Sequence, residues 1–533
     1  MKFRNIICTV AALGAIGMST VSCTGKFDDY NTDDNATTKV TPGMIATQLI
    51  LNITDIGGQK YSIYHSLLQK QAVWCEGAQE DNQYNMLSRV GFDAYTDFTN
   101  CQKMIMEAAS QTEAVQNSYK GLAKFLKAYR LYGITMKLGD IPYSDSNAAE
   151  GGNFTPKYDT QHDVFAHILE DLESAESLFA SGAKFEGDPI YSGDPAKWRK
   201  ACNAFELKVL MNMQQVADQS DAADLNVKSR FARIASSGNI FAGNDDNFML
   251  VFSDAAGQQY PLYNNQHMSF YATSSYLIEP LKNLNDYRLF YYCSPAVGKT
   301  NAGVAASSWD AYPGLNPTAD QSVNNAAHAD LMDCKPNQRY LEPAGEPIIR
   351  IGYMEQNFIL AEAALRGWIN GSAEEYYKKG IRASMEFIAQ YTPTGETYNH
   401  GKEITAEYID QYLAQPNVQL KSNFDDALEQ IITQKYLGSY RQSLDYECWF
   451  DHRRTGYPAW ELNPSTNLND EQNKFPIRWR YSQDEIDYNK ANLEEALNRQ
   501  YNGNDGFNEK MWIVPNAVET PIAGKIITDF GKQ

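Results

Sequence analysis

Residues Tyr119 to Ser144 read YKGLAKFLKAYRLYGITMKLGDIPYS, and the class of fold follows from this stretch. Its apolar residues recur at spacings of three and four, which places them on one face of a helix. They are Leu122, Phe125, Leu126, Tyr129, Ile134 and Leu138. Gly139 follows the last of them, where a left-handed cap would end the helix, and Pro142 blocks continuation. The stretch therefore predicts a long helix that packs on one side within a helical core.

Helical patterns recur along most of the chain. Periodicity predicts further helices over Met44 to Ile56, Tyr61 to Cys75, Phe92 to Ala109, Tyr158 to Phe179, Lys197 to Met213, Tyr353 to Arg366, Ser372 to Tyr391, Phe424 to Tyr440, Leu444 to His452 and Ser482 to Leu497. Thr160 lies where its side chain would cap the helix of residues 158–179. Because nearly all periodic segments are helical, we predict a predominantly all-α fold.

Two of these segments predict a helical hairpin. The first, residues 353–366, is followed by Gly367, a short turn and the second segment, residues 372–391. Small residues would allow the two helices to approach closely: Ala361, Ala363 and Ala364. The arrangement resembles a tetratricopeptide repeat unit, but the sequence shows no clear repeat with the 34-residue period of such units.

The pattern changes after residue 236. Residues 237–275 are rich in Gly, Asn and aromatic residues, and residues 287–350 contain Pro, Gly, Ser and Asn throughout. Long segments with little helical periodicity are often functional loops. We therefore predict one helical domain over residues 42–533, with a loop-rich insertion at about 237–350.

The N-terminus indicates export and anchoring. Two basic residues, at positions 2 and 4, precede an apolar stretch over residues 6–18 that is too short to span a bilayer. Residues 21–23 read Val-Ser-Cys, which looks like a bacterial lipobox. We expect residues 1–22 to be a signal peptide, Cys23 to carry acyl chains such as palmitate, and residues 23–41 to form a flexible tether. The alternative is an ordinary secretory signal in which Cys23 is incidental.

Composition narrows the range of partners. The chain has 533 residues, of which 43% are hydrophobic, so it can bury a large core. Its formal net charge of -20 argues against nucleic acid and anionic headgroups as main partners. The 34 Tyr, 23 Phe and 8 Trp suit neutral ligands that stack on rings, but a tyrosine-rich core has the same composition.

Six cysteines remain after the signal peptide and Cys23 are set aside. They are widely spaced and include no CxxC pair, so neither a zinc ribbon nor a thioredoxin motif is present. Cys293 and Cys334 bracket a loop-rich stretch and could pair in an exported protein. The sequence leaves open the disulfide state of all six: Cys75, Cys101, Cys202, Cys293, Cys334 and Cys448.

Several segments, taken in order, resemble the SusD/RagB family, the nutrient-binding outer-membrane lipoproteins of Bacteroidetes. They are Phe27 to Asn31 (FDDYN), Leu138 to Ser144 (LGDIPYS), Tyr158-Asp159 with the helix that follows, Phe358 to Ala363 (FILAEA), Gln434 to Tyr436 (QKY), Trp449 to Pro458 (WFDHRRTGYP) and Pro476 to Arg478 (PIR). They extend over nearly the full chain behind a lipobox. The run from Arg453 to Pro458 is most similar to the SusD-like branch.

The resemblance implies a helical scaffold with tetratricopeptide-like pairs and loops that form a shallow ligand site. It implies a lipid-anchored protein on the outer membrane, facing the cell surface. It also implies a partner, a SusC-like TonB-dependent transporter, on which the protein acts as a lid. Members of the family capture oligomeric nutrients, usually glycans and sometimes peptides, without catalysis and without a cofactor.

Two segments offer the chemistry of a glycan site, which needs exposed aromatic rings beside amide and carboxylate groups. The first falls roughly where the family's first binding loop would be, and contains Trp74, Glu80, Asp81, Asn82, Gln83 and Tyr84. The second lies in the insertion and contains Tyr291, Tyr292, Trp309, Asp310 and Tyr312. From these we predict seven ligand contacts: Trp74, Asp81, Asn82, Tyr84, Tyr292, Trp309 and Tyr312. For each ring the alternative is ordinary packing.

Motifs for catalysis and metal binding are mostly missing. The chain has no HExxH, GxSxG or GxGxxG, and no histidine pair three or four residues apart. We therefore expect no enzyme activity and no bound metal, and interpret residues 244–247 (NDDN) as a solvated turn rather than a calcium site. Arg453 and Arg454 could bind an anionic ligand but are more typical of a structural clamp.

Three other functions stay open at this point. One is a peptide-binding member of the same family. Another is an exported helical glycosidase or lyase that uses Glu80 or Asp81, because the separation of paired carboxylates is set by the fold and not by sequence spacing. The third is a scaffold that binds only protein.

Overall fold

The computed structural model describes residues 40–57, 60–442 and 445–532 of the chain. The predicted signal peptide, Cys23 and the tether up to residue 39 lie outside the described residues. Within them the structure has nineteen α-helices and six short strands, and Pro42–Gln533 forms one compact unit. The predicted predominantly helical fold is confirmed.

Seven helices and two strands precede the insertion. They are α1 (Pro42–Thr54), α2 (Tyr61–Leu68), β1 (Ala72–Trp74), β2 (Arg89–Val90), α3 (Thr96–Glu107), α4 (Glu113–Leu138), α5 (Gln161–Ala180), α6 (Pro195–Asn212) and α7 (Val227–Ser236). Thr160 accepts a hydrogen bond from the backbone N–H of Asp163 at 3.1 Å, which confirms its predicted capping role at the start of α5.

The predicted insertion contains short elements joined by loops. They are β3 (Phe248–Leu250), β4 (Tyr271–Thr273), α8 (Ser275–Asn283), α9 (Arg288–Tyr292), α10 (Val297–Asn301), α11 (Gln321–Ala329) and β5 (Ile348–Ile351). None of these helices exceeds nine residues. Such short helices have weak periodic signals and depend on tertiary contacts.

The C-terminal part contains longer helices again, together with some short elements. Its elements are α12 (Tyr353–Leu365), α13 (Ala373–Gln390), α14 (Glu396–Asn399), α15 (Ala406–Leu413), α16 (Phe424–Gly438), α17 (Glu447–Thr455), β6 (Arg480–Tyr481), α18 (Gln483–Tyr488) and α19 (Lys490–Tyr501). Helices α12 and α13 form the predicted hairpin. They approach closely at Gly380, where an added Cβ would lie 2.9 Å from the ring of Phe358.

Helix α4 is the long helix that the sequence predicts, but it begins earlier. It starts at Glu113 and ends at Leu138, and all six residues of the predicted apolar face are buried. Gly139 has the expected positive φ of 98°, although its ψ of -123° differs from a left-handed helical cap. An added Cβ there would lie 2.3 Å from oxygen atoms of Gln500 and Tyr501. Glycine at this position therefore lets α19 close over the end of α4.

The prediction of one helix over residues 61–75 is wrong. Helix α2 ends at Leu68, Lys70 has a φ of 60°, and β1 follows. Strand β1 pairs antiparallel with β4, about 200 residues further along the chain. Tertiary pairing thus overrides the local helical pattern. The predicted helix over 482–497 also differs, because Asn489 separates α18 from α19.

The six strands form three separate pairs. β1 pairs antiparallel with β4, β2 pairs parallel with β6, and β3 pairs antiparallel with β5. The β1–β4 pair joins the insertion to an earlier segment, and the β2–β6 pair does the same for the C-terminal part, whereas the β3–β5 pair joins the beginning of the insertion to its end. The pairs therefore position loops on the helical scaffold and do not form a core of their own.

A chain of buried ion pairs joins four helices of the core. Lys208 on α6 lies 2.9 Å from Glu355 on α12, and Lys435 on α16 lies 2.9 Å from Asp451 on α17. Arg454 on α17 adds a further buried ion pair, with Glu362 on α12. Because unpaired buried charges are costly, these pairs specify how the four helices meet.

Candidate functional site

Strand β1 carries Trp74, the first predicted ligand contact. All three residues of the strand are buried, and Trp74 stands opposite Tyr271 in the pairing with β4. Only 3% of Trp74 is exposed. Trp74 therefore lies below the surface, with little of its ring open to a ligand.

Lys60 covers the ring of Trp74. Its Nζ lies 4.2 Å from the ring centroid and forms an ion pair with the carboxylate of Glu80. His267 and Phe270 pack around the same ring, with centroid separations of 6.0 and 5.7 Å. A sugar that stacked on this ring would have to displace the lysine ammonium.

The loop after β1 is bound to the insertion by Gln83 and Tyr84. Gln83 accepts a hydrogen bond from the backbone N–H of Trp74 at 2.8 Å and donates one to the carbonyl of Pro317 at 3.2 Å. The Tyr84 hydroxyl donates to the carbonyl of Ala319 at 2.7 Å. Burial raises the pKa of Tyr84 to about 12. These two side chains fix the shape of the loop.

The tip of this loop is polar and open to solvent. Asp81 is exposed and Asn82 is half-buried, and Glu76 and Gln79 beside them are also exposed. Carboxylate and amide groups of this kind can bind sugar hydroxyls. The first predicted segment therefore presents Asp81 and, in part, Asn82 to solvent, while its two rings are buried.

In the second predicted segment three tyrosines are buried. Tyr291, Tyr292 and Tyr312 have exposed fractions of 5, 1 and 0%. The Tyr292 hydroxyl donates to the carbonyl of Leu437 at 2.9 Å, and the Tyr312 hydroxyl donates to the carbonyl of Ala306 at 2.8 Å. These partners explain how polar rings are accommodated in the core.

Trp309 is half-buried, unlike the other four predicted rings. It opens a short 3-10 turn, and the side chain of Ser308 caps this turn by accepting a hydrogen bond from the backbone N–H of Asp310 at 3.3 Å. Its ring packs edge-on against Phe290 at a centroid distance of 4.7 Å and lies 6.3 Å from Tyr287. The carboxylate of the neighbouring Asp310 is exposed. Trp309 thus combines partial exposure with a nearby polar group.

Three residues that the sequence analysis missed lie in the same area as Trp309 and Asp310. The rings of Tyr287 and Tyr408 stack at 3.9 Å with 8° between their planes, and Lys402 Nζ lies 5.3 Å from the Tyr287 ring centroid. We name this half-buried group, with the exposed Asp310, the Trp309 surface: Tyr287, Trp309, Asp310, Lys402 and Tyr408. Lys402 and Tyr408 come from a different part of the chain, so no local pattern could have joined them to Trp309.

The rings of the two predicted segments have different neighbours. Trp74 packs with His267 and Phe270, whereas Trp309 packs with Phe290 and Tyr287. Hydrogen bonds between side chains and backbone carbonyls connect the first loop to residues 317–321 of the insertion, but the two tryptophans belong to separate clusters. They are therefore two candidate contact areas.

Arg453 and Arg454 serve as the structural clamp that the sequence favours. Arg454 donates to Glu362 at 2.8 Å and to Asp451 at 2.9 Å, and Arg453 donates to the carbonyl of Ile477 at 2.8 Å. Both arginines are buried. Burial alone would raise the pKa of Glu362, but Arg454 and a second arginine outweigh it and hold that pKa at about 2.

The turn at residues 244–247 uses its buried carboxylate within the fold. Asp246 accepts hydrogen bonds from the backbone N–H of Ala242 at 2.8 Å and from Lys200 at 2.9 Å. In the part of the chain that the structure describes, no cluster of three or more His, Cys, Asp or Glu could hold a metal ion. Over the same ranges, no helix has both the length and the apolar character needed to cross a membrane.

Residues 34–482 match the family model described as starch-binding and associating with the outer membrane. The chain belongs to the SusD-like family. A SusD homolog of Bacteroides fragilis is 45% identical with a TM-score of 0.86, covering 89% of this chain and 100% of that one. An outer membrane protein of Bacteroides vulgatus assigned to nutrient binding is 30% identical with a TM-score of 0.80, at the same coverage.

A chitin-binding protein is 25% identical to this SusD-like protein, with a TM-score of 0.71, covering 89% of this chain and 100% of that one. No curated protein matches the chain. Membership of the family confirms the predicted resemblance. It makes this SusD-like protein a nutrient-binding protein associated with the outer membrane, and not an enzyme. The alternative of an exported glycosidase or lyase is thereby removed.

Proposed function

We propose that this SusD-like protein captures an oligosaccharide at the cell surface and passes it to a SusC-like TonB-dependent transporter. The observation that carries the proposal is the Trp309 surface, where exposed ring area lies beside a carboxylate and an ammonium group. Sugar rings stack their C–H faces on aromatic rings and bind polar groups through their hydroxyls. The chitin-binding protein of the same fold supports a glycan as the ligand.

Within this surface Trp309 is the stacking platform. The ring of Tyr287 has Tyr408 stacked on it and Lys402 over it, and Trp309 is therefore the ring that we assign to the ligand. Asp310 accepts hydrogen bonds from sugar hydroxyls, and Lys402 donates to them. One platform with few polar contacts gives modest affinity, which suits release into a transporter.

The loop at residues 76–82 provides a second contact in this proposal. Asp81 and Asn82 bind hydroxyl groups directly, since they are exposed and half-buried. Trp74 contributes only when Lys60 leaves its ring. Tyr84, Tyr292 and Tyr312, which the sequence also predicted as contacts, support the loops from below.

Anchoring and partnership complete the proposal. Cys23 carries the lipid, residues 23–41 form the tether, and the folded body faces outward from the outer membrane. We expect a large barrel protein to co-purify from gently solubilised membranes, and a Cys23→Ala variant to leave the membrane fraction. Repeated isolation of the lipoprotein alone would contradict the transporter part of the proposal.

Calorimetric titration of residues 24–533 tests the ligand and the site. Pools of neutral oligosaccharides, acidic oligosaccharides and peptides are titrated into the wild type and three variants, Trp309→Ala, Trp74→Ala and Trp512→Ala. Trp512 is a matched control, because it is also half-buried and its indole N–H donates to Asp221 instead of lining the Trp309 surface. We expect saturable binding of neutral oligosaccharides that falls about tenfold or more in Trp309→Ala only.

The other outcomes separate the alternatives. Saturable binding of the peptide pool alone would favour the peptide-binding function. Binding that survives Trp309→Ala but is lost in Trp74→Ala would place the site at the first loop. Equal losses in Trp309→Ala and Trp512→Ala would show that the effect comes from folding. No binding in any pool would favour a scaffold that binds only protein.

A further inference from the structure

A polar cavity of about 450 Å³ lies between helices α5, α6 and α7, outside the two candidate contact areas. Carboxylates, guanidinium groups, amides and hydroxyls line it. Cavities of this size accommodate small organic ligands. Its chemistry differs from that of the Trp309 surface, because charged and amide groups dominate here and aromatic rings are missing from its lining.

Glu206 on α6 lines this cavity and is only 1% exposed. Its Oε1 atom is buried and makes no hydrogen bond. Burial raises the pKa of Glu206 to about 8. A buried carboxyl oxygen without a partner is unfavourable, so the cavity lacks a donor at this point.

The surrounding cations are already engaged by other carboxylates. Arg199 on α6 lies 2.6 Å from Glu176 on α5, and Arg230 on α7 lies 2.6 Å from Glu173 on α5. Arg233 on α7 also pairs with Glu173. These pairs balance most of the charge in the walls and leave Glu206 as the unsatisfied acceptor.

We propose that this cavity binds a small ligand through a primary ammonium group that donates to Glu206. The wall also carries Ser177, Asn203 and Ser237, whose amide and hydroxyl groups suit a hydroxylated ligand such as an amino sugar. An ammonium group supplies the charge and the donor that Glu206 lacks. The same chemistry is found at the N-terminus of a peptide, so the two sources must be distinguished by experiment. This site is independent of the proposed glycan surface.

Calorimetry on the full folded chain tests the proposal with three probes: glucosamine, N-acetylglucosamine and glycinamide. Glucosamine and N-acetylglucosamine share a sugar ring, but only glucosamine carries the ammonium, whereas glycinamide carries the ammonium without the ring. Phosphate and HEPES buffers are used because Tris is itself a primary amine. We expect glucosamine to bind at least about tenfold more tightly than N-acetylglucosamine.

The proton balance provides a second measurement on the wild type. At pH 7 the Glu206 carboxyl holds its proton in the empty cavity and gives it to the buffer when an ammonium group pairs with it. The binding enthalpy should therefore differ between phosphate and HEPES, by an amount that corresponds to nearly one proton released. This test needs no variant and so does not depend on whether a substitution folds.

Glu206→Gln has the same shape but cannot carry the charge, and should weaken glucosamine binding by about tenfold or more. The control is Glu374→Gln, which removes a half-exposed carboxylate from α13 and should leave binding unchanged. Stronger binding of glucosamine than of glycinamide would support an amino sugar, and the reverse would support a peptide N-terminus. Equal binding of glucosamine and N-acetylglucosamine, or no saturable binding of either amine, would overturn the proposal.

Discussion

Lys60 places its ammonium nitrogen 4.2 Å from the ring centroid of Trp74, and Glu80 holds it there through an ion pair. The protein's own cation thus occupies the ring face where a sugar would stack. A cation over a tryptophan face contributes about 0.5–2 kcal/mol, depending on how far it is desolvated. Any ligand that uses Trp74 must compete with this contact.

Lys60→Met should therefore reveal whether Trp74 belongs to the ligand site. The methionine keeps an apolar stem over the ring but removes the ammonium, which should lower the free energy of unfolding by about 1 kcal/mol in urea titrations. If Trp74 contacts the oligosaccharide, calorimetry should show tighter binding in this variant. Lys103→Met, an exposed change on α3, is the control for both measurements. Unchanged oligosaccharide affinity in Lys60→Met would exclude Trp74 as a contact.

Tyr292→Phe should separate a structural ring from a binding ring. The change removes only the hydroxyl that donates to the carbonyl of Leu437. We expect a loss of about 1 kcal/mol in stability, because the buried carbonyl loses its partner, and no change in oligosaccharide affinity. Urea unfolding and calorimetry measure the two effects. Weaker binding at unchanged stability would return Tyr292 to the list of ligand contacts.

Segments with long, strong periodicity were predictable from sequence. Helix α4, the α12–α13 hairpin and the Thr160 cap all follow from local spacing and from the chemistry of single residues. The strand at residues 72–74 was not predictable from sequence, because it forms only through pairing with β4 in a distant part of the chain. Burial of the whole segment on both faces left no alternating pattern to detect.

The candidate site was less predictable than the fold. Trp74 and Trp309 have similar polar neighbours in sequence, yet the first is covered by Lys60 and the second keeps exposed ring area. Which ring is covered depends on tertiary contacts. Tyr408 and Lys402 come close to Trp309 only in the folded chain. Arg453 and Arg454, by contrast, were correctly interpreted from sequence as a structural clamp, because buried arginines need carboxylates and carbonyls as partners.

Glu362→Gln should destabilise the core strongly and change the response to acid. The pKa of Glu362 is about 2 in the folded protein and about 4.5 in the unfolded chain, so its ionisation stabilises the fold above pH 4.5. That contribution, about 3 kcal/mol, is lost as pH falls from 4.5 towards 2. The variant should lose about this amount at pH 7 in urea unfolding, and the difference from wild type should shrink at pH 3.

Glu374 on α13, whose side chain is half-exposed, provides the control for Glu362. Glu374→Gln breaks only a solvent-exposed pair with Lys378 and should change stability by less than about 0.5 kcal/mol at either pH. Equal effects of the two substitutions would show that the pair between Glu362 and Arg454 adds little to the core.

The effect of Glu206→Gln on the free energy of unfolding should depend on pH in the opposite sense to that of Glu362→Gln. The pKa of Glu206 is raised by burial to about 8, so between pH 4.5 and 8 the folded state holds a proton that the unfolded state has lost. Its stability then falls as pH rises, by about 1.4 kcal/mol per pH unit from this group. Glutamine cannot ionise, so the variant should gain stability relative to wild type between pH 5 and pH 7.5. If the difference in free energy of unfolding between the two proteins stayed constant over this pH range, the raised pKa of Glu206 would be contradicted.

Gly139→Ala tests the end of α4, where the chain turns sharply beneath α19. The added Cβ would lie 2.3 Å from the Gln500 side-chain oxygen and from the Tyr501 hydroxyl, at a φ of 98° that alanine rarely adopts. Both oxygens also hold the turn: the Gln500 oxygen accepts from the backbone N–H of Asp140 at 2.9 Å, and the Tyr501 hydroxyl donates to the carbonyl of Leu138 at 2.8 Å. The clash therefore disrupts contacts that close the turn, and we expect a loss of more than about 3 kcal/mol.

Gly133→Ala is the matched control, because it adds the same methyl group to the same helix. Apart from the neighbouring backbone of its own helix, no heavy atom lies within 4 Å of its added Cβ, and alanine favours a helix interior over glycine by about 1 kcal/mol. Thermal and urea unfolding should show Gly133→Ala at or above the wild-type stability and Gly139→Ala far below it. If both variants matched the wild type, α19 would have room to move away from Gly139, and the close approach of the two helices would not be a requirement of the fold.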